Sequence, residues 1–488
     1  MRTLKKDFEL RKKWYSNRSS TIYPLDIDKG SDFCLSFINY WKLKNKIFDL
    51  KMNLRFYDEK GNFVNFYETY IVKNHNEFFF KKIVGNRFKG MVEVEFISSS
   101  NLRYPFPGVT GFYISPKKLI SGVHAAGRIL SNTEKKNFQN GIEESNFSIK
   151  FKKNSVTPFF STFNSNDLKK KNVIQIKLFN KLNQIIKIKK IDNVLLAPFE
   201  NKIFYFNDFF SKSILLNAKY CKIKIKNNNI FTRMVCGNYH IKKHHYEVTH
   251  SFAVQKNSKD YISNKYNNST VDHMSYLPYV KPKELSLKLR VFPTNLKSKI
   301  NATHYVYDKK KKVFLKGDKF IIEPHKNFFE YSVKNQKEEF GFFSTKQNKI
   351  PARINTSFIY GNDNESDLNT DIALGFKSIN VPFKTTHWGS FLSNNSTETI
   401  ISIRKISHYK KKSNSKAQII FYGKNFSKKI SLNFKQHDYK IIYFSKLCKN
   451  SSKELKGFSW IMNCDNGDGM EVFWNTFNKK FVSGCHSF

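Results

Sequence analysis

The chain has 488 residues, 40% of them hydrophobic, with 85 basic and 39 acidic side chains and a net charge of +46. That length exceeds the roughly 250 residues one core usually spans, and no apolar run reaches the ~18 residues of a membrane helix. The six cysteines form no CxxC pair or other close metal-ligand spacing, so free, mostly buried thiols are expected.

The charge suggests a polyanionic partner, yet only 11 of the 85 basic residues are arginine. Lys, Asn, Ile and Phe share AT-rich codons, so genome composition accounts for much of the lysine. Nucleic-acid sites favour arginine for bidentate contacts. Nucleic acid is therefore not the favoured partner.

Residues 1–30 are read as an N-terminal extension holding one short amphipathic helix. Charges in MRTLKKDFELRKKWYSNRSS stand where a signal peptide needs its apolar stretch, so a cytoplasmic location is expected.

Residues 31–130 form the first of four expected β-sandwich units. Apolar residues alternate, as in MVEVEFI at 91–97, and turn signals such as DEKGN at 58–62 separate the runs. The segment RYPFPGVTGFYI followed by GVHAAGRIL carries Arg103, Tyr104, Phe106, Tyr113, His124 and Arg128. Its two prolines place it at an edge or in a loop. Aromatics beside arginine suit contact with a glycan or phosphate, which makes these residues binding candidates.

Residues 131–158, rich in Asn, Ser, Lys and Glu, read as a linker or packing arm. The second unit, 159–254, contains VIQIKL at 173–178 and KIKIK at 222–226, and closes on the hairpin MVCGNYH and YEVTHSFAV. Tyr239, Glu247 and His250 are its binding candidates. The cluster HIKKHHYEVTH has zinc-ligand chemistry, but alternation sends His245 and Glu247 to one face and His244 and His250 to the other. No metal and no cofactor are therefore expected.

Laying the chain on itself at an offset of 126 residues places Phe33 and Phe37 on Phe159 and Phe163. The same offset places Phe78-Phe79-Phe80 on Phe204-Tyr205-Phe206, and Val109, Gly111, Tyr113 and His124 on Val235, Gly237, Tyr239 and His250. After a second linker, 255–283, a third unit spans 284–378 and a fourth 389–488, each of the four near 95 residues. The ending HSF recurs as HSF at 250–252 and 486–488, with Leu374 at the equivalent place in the third unit. A position filled by His or Leu reads as a strand position, and modules on linkers would hold the three histidines apart.

The fold class is thus all-β, a tandem array of antiparallel β-sandwich modules. No nucleophile elbow, phosphate loop, dinucleotide fingerprint or HExxH is present, and CDNGDG at 464–469 lacks the remainder of a calcium loop. The expected function is non-catalytic binding or scaffolding, for an anionic polysaccharide or a protein partner. The alternatives are a carbohydrate-active enzyme with a site between units 1 and 2, and a non-specific nucleic-acid binder.

Overall fold

The computed structural model describes residues 16–488 apart from short stretches, the longest being 131–140, 264–274, 362–369 and 407–413. Almost every element is a strand, and all strand pairings are antiparallel. The first unit has eight strands: Arg18–Ile27, Asp32–Ile38, Lys51–Asp58, Phe63–Tyr70, His75–Phe79, Phe88–Ile97, Thr110–Ile114 and Ile120–His124. Its first, sixth, third and fourth strands make one sheet in that order, and its fifth, second, seventh and eighth make the other.

The same two orders recur three more times. The first strands of the later units are Gly141–Ser148, Ser275–Lys281 and Thr385–Ser393. Thus Arg18–Ile27, Gly141–Ser148 and Ser275–Lys281 lie inside the stretches read above as an extension and two linkers. GIEESNFS has few apolar residues to mark it, whereas RSSTIYPLDI and SYLPYVK each carry a proline that breaks the pattern of a strand.

The repeat is off by one residue where it matters most. The fifth strands superpose at 126, but the second strands do so at 125, since Cys34 pairs with Phe79 and Phe159 with Tyr205. A one-residue slip turns a strand over. Phe33 and Phe37 accordingly pack in the core of unit 1, whereas Phe163 leaves unit 2 to meet Ile22, Tyr57 and Met91 of unit 1. The Phe78–Phe80 and Phe204–Phe206 triplets do correspond, with Phe80 and Phe206 each fully buried in its own unit.

The four units close head to tail into a ring. The second sheet of each unit covers the outer face of the first sheet of the unit before it, and unit 1 covers unit 4. Phe159, Tyr246 and Val248 of unit 2 join the core of unit 1. Phe292 of unit 3 packs on Phe179 and Tyr220 of unit 2, and Ile406 and Tyr439 of unit 4 pack on Val280, Phe340 and Phe342 of unit 3. Cys34, Phe112, Ile114 and Ile120 of unit 1 join the core of unit 4. At that last joint the amide of Gly457 donates to Glu77 at 2.6 Å, and His75 Nδ1 lies 2.8 Å from Ser459 Oγ.

A sheet covered on both faces loses its solvent-exposed side. All eight residues of Val156–Phe163 are buried, as are eight of the nine in Glu398–Ile406. The fourth strands lie at the free edge of each first sheet and stay wet: Ile185–Leu196 and Val313–Ile322 are exposed over most of their length. No helix among the described residues is long and apolar enough to cross a membrane.

Candidate functional site

Ring closure brings the four eighth strands together in cyclic order: Ile120–His124, His245–His250, Thr370–Leu374 and Phe481–His486. Side-chain hydroxyls tie neighbours at equivalent places. The Val248 amide donates to Ser121 Oγ at 3.0 Å, and one step round the ring the Gly122 amide donates to Ser483 Oγ at 3.0 Å. Each strand ends at the position of the repeated histidine, so the repeat itself aims His124, His250 and His486 at one place on the axis.

The expectation that these histidines stand apart rested on loosely linked modules, and the closed ring removes that premise. His124 lies edge-on to His250 with centroids 4.2 Å apart and edge-on to His486 at 4.7 Å. One ligating atom from each of the three lies within 4.8 Å of the others. His124 is buried and the other two are half-buried. His486 Nδ1 is 2.8 Å from the Ser487 carbonyl oxygen, and His124 Nδ1 is 3.2 Å from Cys485 Sγ. Burial pushes the Cys485 thiol up to about 12, so it is present as the neutral thiol.

The other candidates from the sequence fall in separate settings. Arg103 sits in a left-handed turn, exposed, and Tyr104 beside it is 46% exposed. Arg128 is buried, donates from Nε to Ser20 Oγ at 3.3 Å, and holds its guanidinium 5.2 Å from the Phe106 ring. Tyr113 and Tyr239 belong to the joint between units 1 and 2. Tyr113 donates to the Pro24 carbonyl at 2.8 Å, and Tyr239 stacks on Tyr246 at 4.4 Å. Tyr246 in turn donates to Asp26 of unit 1, and burial holds its hydroxyl well above the usual phenol range. Glu247 accepts from Lys150 at 2.9 Å and lies 3.5 Å from His240.

A second feature was not legible in the chain. Where units 3 and 4 meet, a cleft of about 490 Å³ is lined by Tyr307, Lys309, Lys312, Glu338, Lys435, His437, Asp438, Tyr439, Lys440 and Tyr443 among others. Four lysines face two carboxylates. Lys309 pairs with Glu338 and Lys440 with Asp438, each at 3.0 Å, which leaves the charge of the exposed Lys312 and Lys435 to set the sign of the cleft. Burial, helped by Lys405, lowers His437 to about 4, so it adds no charge at neutral pH. The run Lys309–Lys312 was visible as a turn tip, but nothing in its spacing indicates that residues 435–443 stand opposite.

No protein-family model matches the chain, and no curated protein matches it at a significant level.

Proposed function

We propose that this multi-module β-sandwich protein is a non-catalytic scaffold that binds an anionic partner, an acidic polysaccharide first, in the cleft between units 3 and 4. The observation that carries the reading is the lining of that cleft. Tyr307, Tyr439 and Tyr443 line it with aromatic rings of the kind that sugar rings pack against, Tyr439 and Tyr443 each already carrying a lysine over one face, and the surplus lysines supply the charge for sulfate or carboxylate groups. A cleft between two rigid sandwiches, open to solvent and spanned by lysine point charges, suits a polymer held by electrostatics better than a small molecule held by a buried constellation. The axis and the joints supply rigidity to this surface.

Binding of a sulfated polysaccharide, measured by fluorescence anisotropy at low and moderate salt, tests the reading. Affinity is expected to fall as salt screens the lysines, and to drop at least ~10-fold in the double variant Lys312→Glu/Lys435→Glu, since each reversal replaces an attraction with a repulsion. Absence of salt-sensitive binding, or binding unchanged in that variant, would count against the cleft. Tighter binding to single-stranded nucleic acid than to the polysaccharide would favour the nucleic-acid alternative.

A further inference from the structure

We propose that His124, His250 and His486 form a site for one divalent transition-metal ion that favours imidazole, zinc first, and that the ion clasps units 1, 2 and 4 at the ring axis. The inference is independent of the anionic cleft.

Three observations carry it. The first is convergence: one ligating atom from each histidine lies within 4.8 Å of the others. Around a tetrahedral zinc with Zn–N near 2.0–2.1 Å the nitrogens stand ~3.4 Å apart, so inward movements of ~1 Å complete the set. Rotation about the side-chain torsions covers that distance without moving the strands.

The second is orientation. A carbonyl oxygen can only accept, so the 2.8 Å contact between His486 Nδ1 and the Ser487 carbonyl puts the proton on Nδ1 and the lone pair on Nε2. This is the arrangement in which metal-bound histidines are found, with the outer nitrogen donating to a carbonyl or carboxylate. The Cys485 sulfur, 3.2 Å from His124 Nδ1, anchors the ring of the buried histidine; a thiol can donate or accept there, so this contact orients the ring without assigning its proton.

The third is number. Unit 3 has Leu374 at the equivalent end of its eighth strand, opposite Thr356 in register, and leucine offers no ligand. The protein therefore supplies three neutral imidazoles and leaves one corner of a tetrahedron to water or a small anion. Three neutral ligands leave the double charge of the ion uncompensated, which favours an anion at that corner. Because the ligands come from three different units, binding energy acts on ring closure and not on any one sandwich.

The test uses the full chain, stripped by a chelator and titrated with Co²⁺, then with Zn²⁺. The expected results are a tetrahedral cobalt spectrum, displacement by zinc, one zinc per chain by elemental analysis after gel filtration, and a Tm that rises with free zinc by mass action. His250→Ala and His486→Ala each remove one ligand from a different unit. Each is expected to weaken zinc binding by more than the ~10–100-fold that loss of an outer-shell partner costs. Should either variant fail to fold, the wild-type cobalt spectrum still decides. An octahedral spectrum, no retained zinc, or zinc binding unchanged in folded histidine variants would overturn the proposal.

Discussion

Two histidines elsewhere in the ring, the buried His245 and the half-buried His437, make its stability depend on acid in a defined way. His245 is fully enclosed in unit 2, and burial, with His240 and Lys243 nearby, holds it well below the usual imidazole range. His437 is lowered to about 4, chiefly by burial. The unfolded chain takes up these protons near 6.5 and the folded chain does not, so stability is lost as pH falls from about 6.5 towards 4. Below about 4 folded His437 is protonated too, and its share stops growing. Tm measured across that window is expected to fall, and His437→Gln is expected to flatten the slope, by as much as about 3 kcal/mol at the acid end. Glycine marks a second sensitive place. Gly61, at φ +88 in the DEKGN turn, lies so close to unit 2 that a Cβ would stand 2.1 Å from the Pro198 carbonyl oxygen. Gly61→Ala is expected to cost about 1–3 kcal/mol, read by urea denaturation, by straining its own backbone and prising the joint where Tyr57 stacks on Phe199 at 4.5 Å. At this scale the histidine repeat was legible and its meaning was not: His124, His250 and His486 are in phase along the chain, but only closure of the ring sets their distances.

At the scale of strands, the apolar alternation located MVEVEFI, VIQIKL and KIKIK, all of which are strands: the last two alternate buried with half-buried residues, whereas MVEVEFI is buried on both faces and owes its alternation to Glu93 and Glu95, which pair with Arg18 and Arg55. Val156–Phe163, buried on both faces with no charged residue, has no outward side to set a period. The single offset of 126 also failed at the second strands, because the chain from Phe159 to its partner Tyr205 is one residue longer than that from Cys34 to its partner Phe79, and the apolar residues change sides. The exposed fourth strands carry another consequence. Phe63, Val64, Phe66 and Tyr70 in unit 1, Ile185, Ile188 and Leu195 in unit 2, and Val313, Leu315 and Ile321 in unit 3 are large apolar residues more than 40% exposed on sheet edges. Such edges recruit other edges. In units 1 to 3 the third and fourth strands are joined with bulges, near Phe56, Asn172, Leu178 and Thr303, that add twist. Lys187, Lys189 and Lys190 charge the edge of unit 2. Replacing these three lysines by threonine is expected to leave Tm near the wild-type value and to promote self-association, visible by light scattering at moderate salt.

For the molecule as a whole, the number of units and their sandwich class follow from the sequence, whereas the ring does not, because nothing in the spacing of one unit says which face the next will cover. Apolar cores run through the joints: Cys34, Phe112, Ile114 and Ile120 belong to one cluster with the core of unit 4. Heterologous contacts of this kind run on without limit unless the rotation closes, and here it closes at four. Cores that cross every joint should melt together. Calorimetry on the full chain is expected to show one transition whose calorimetric and van't Hoff enthalpies agree, and a chain truncated after residue 384 is expected to bind hydrophobic dyes and lose that transition. Two separate transitions in the full chain would show that the joints are weaker than the sandwiches.

The bond from Gly122 to Ser483 spans 361 residues of chain. At the ordinary pace of synthesis the ribosome needs roughly 20–70 s to make that stretch. Throughout that interval the second sheet of unit 1, with Cys34, Phe112 and Ile120 on its uncovered side, waits for a neighbour that does not yet exist. The ring is thus a nascent-chain problem before it is a scaffold, and its first unit is where a chaperone would be needed.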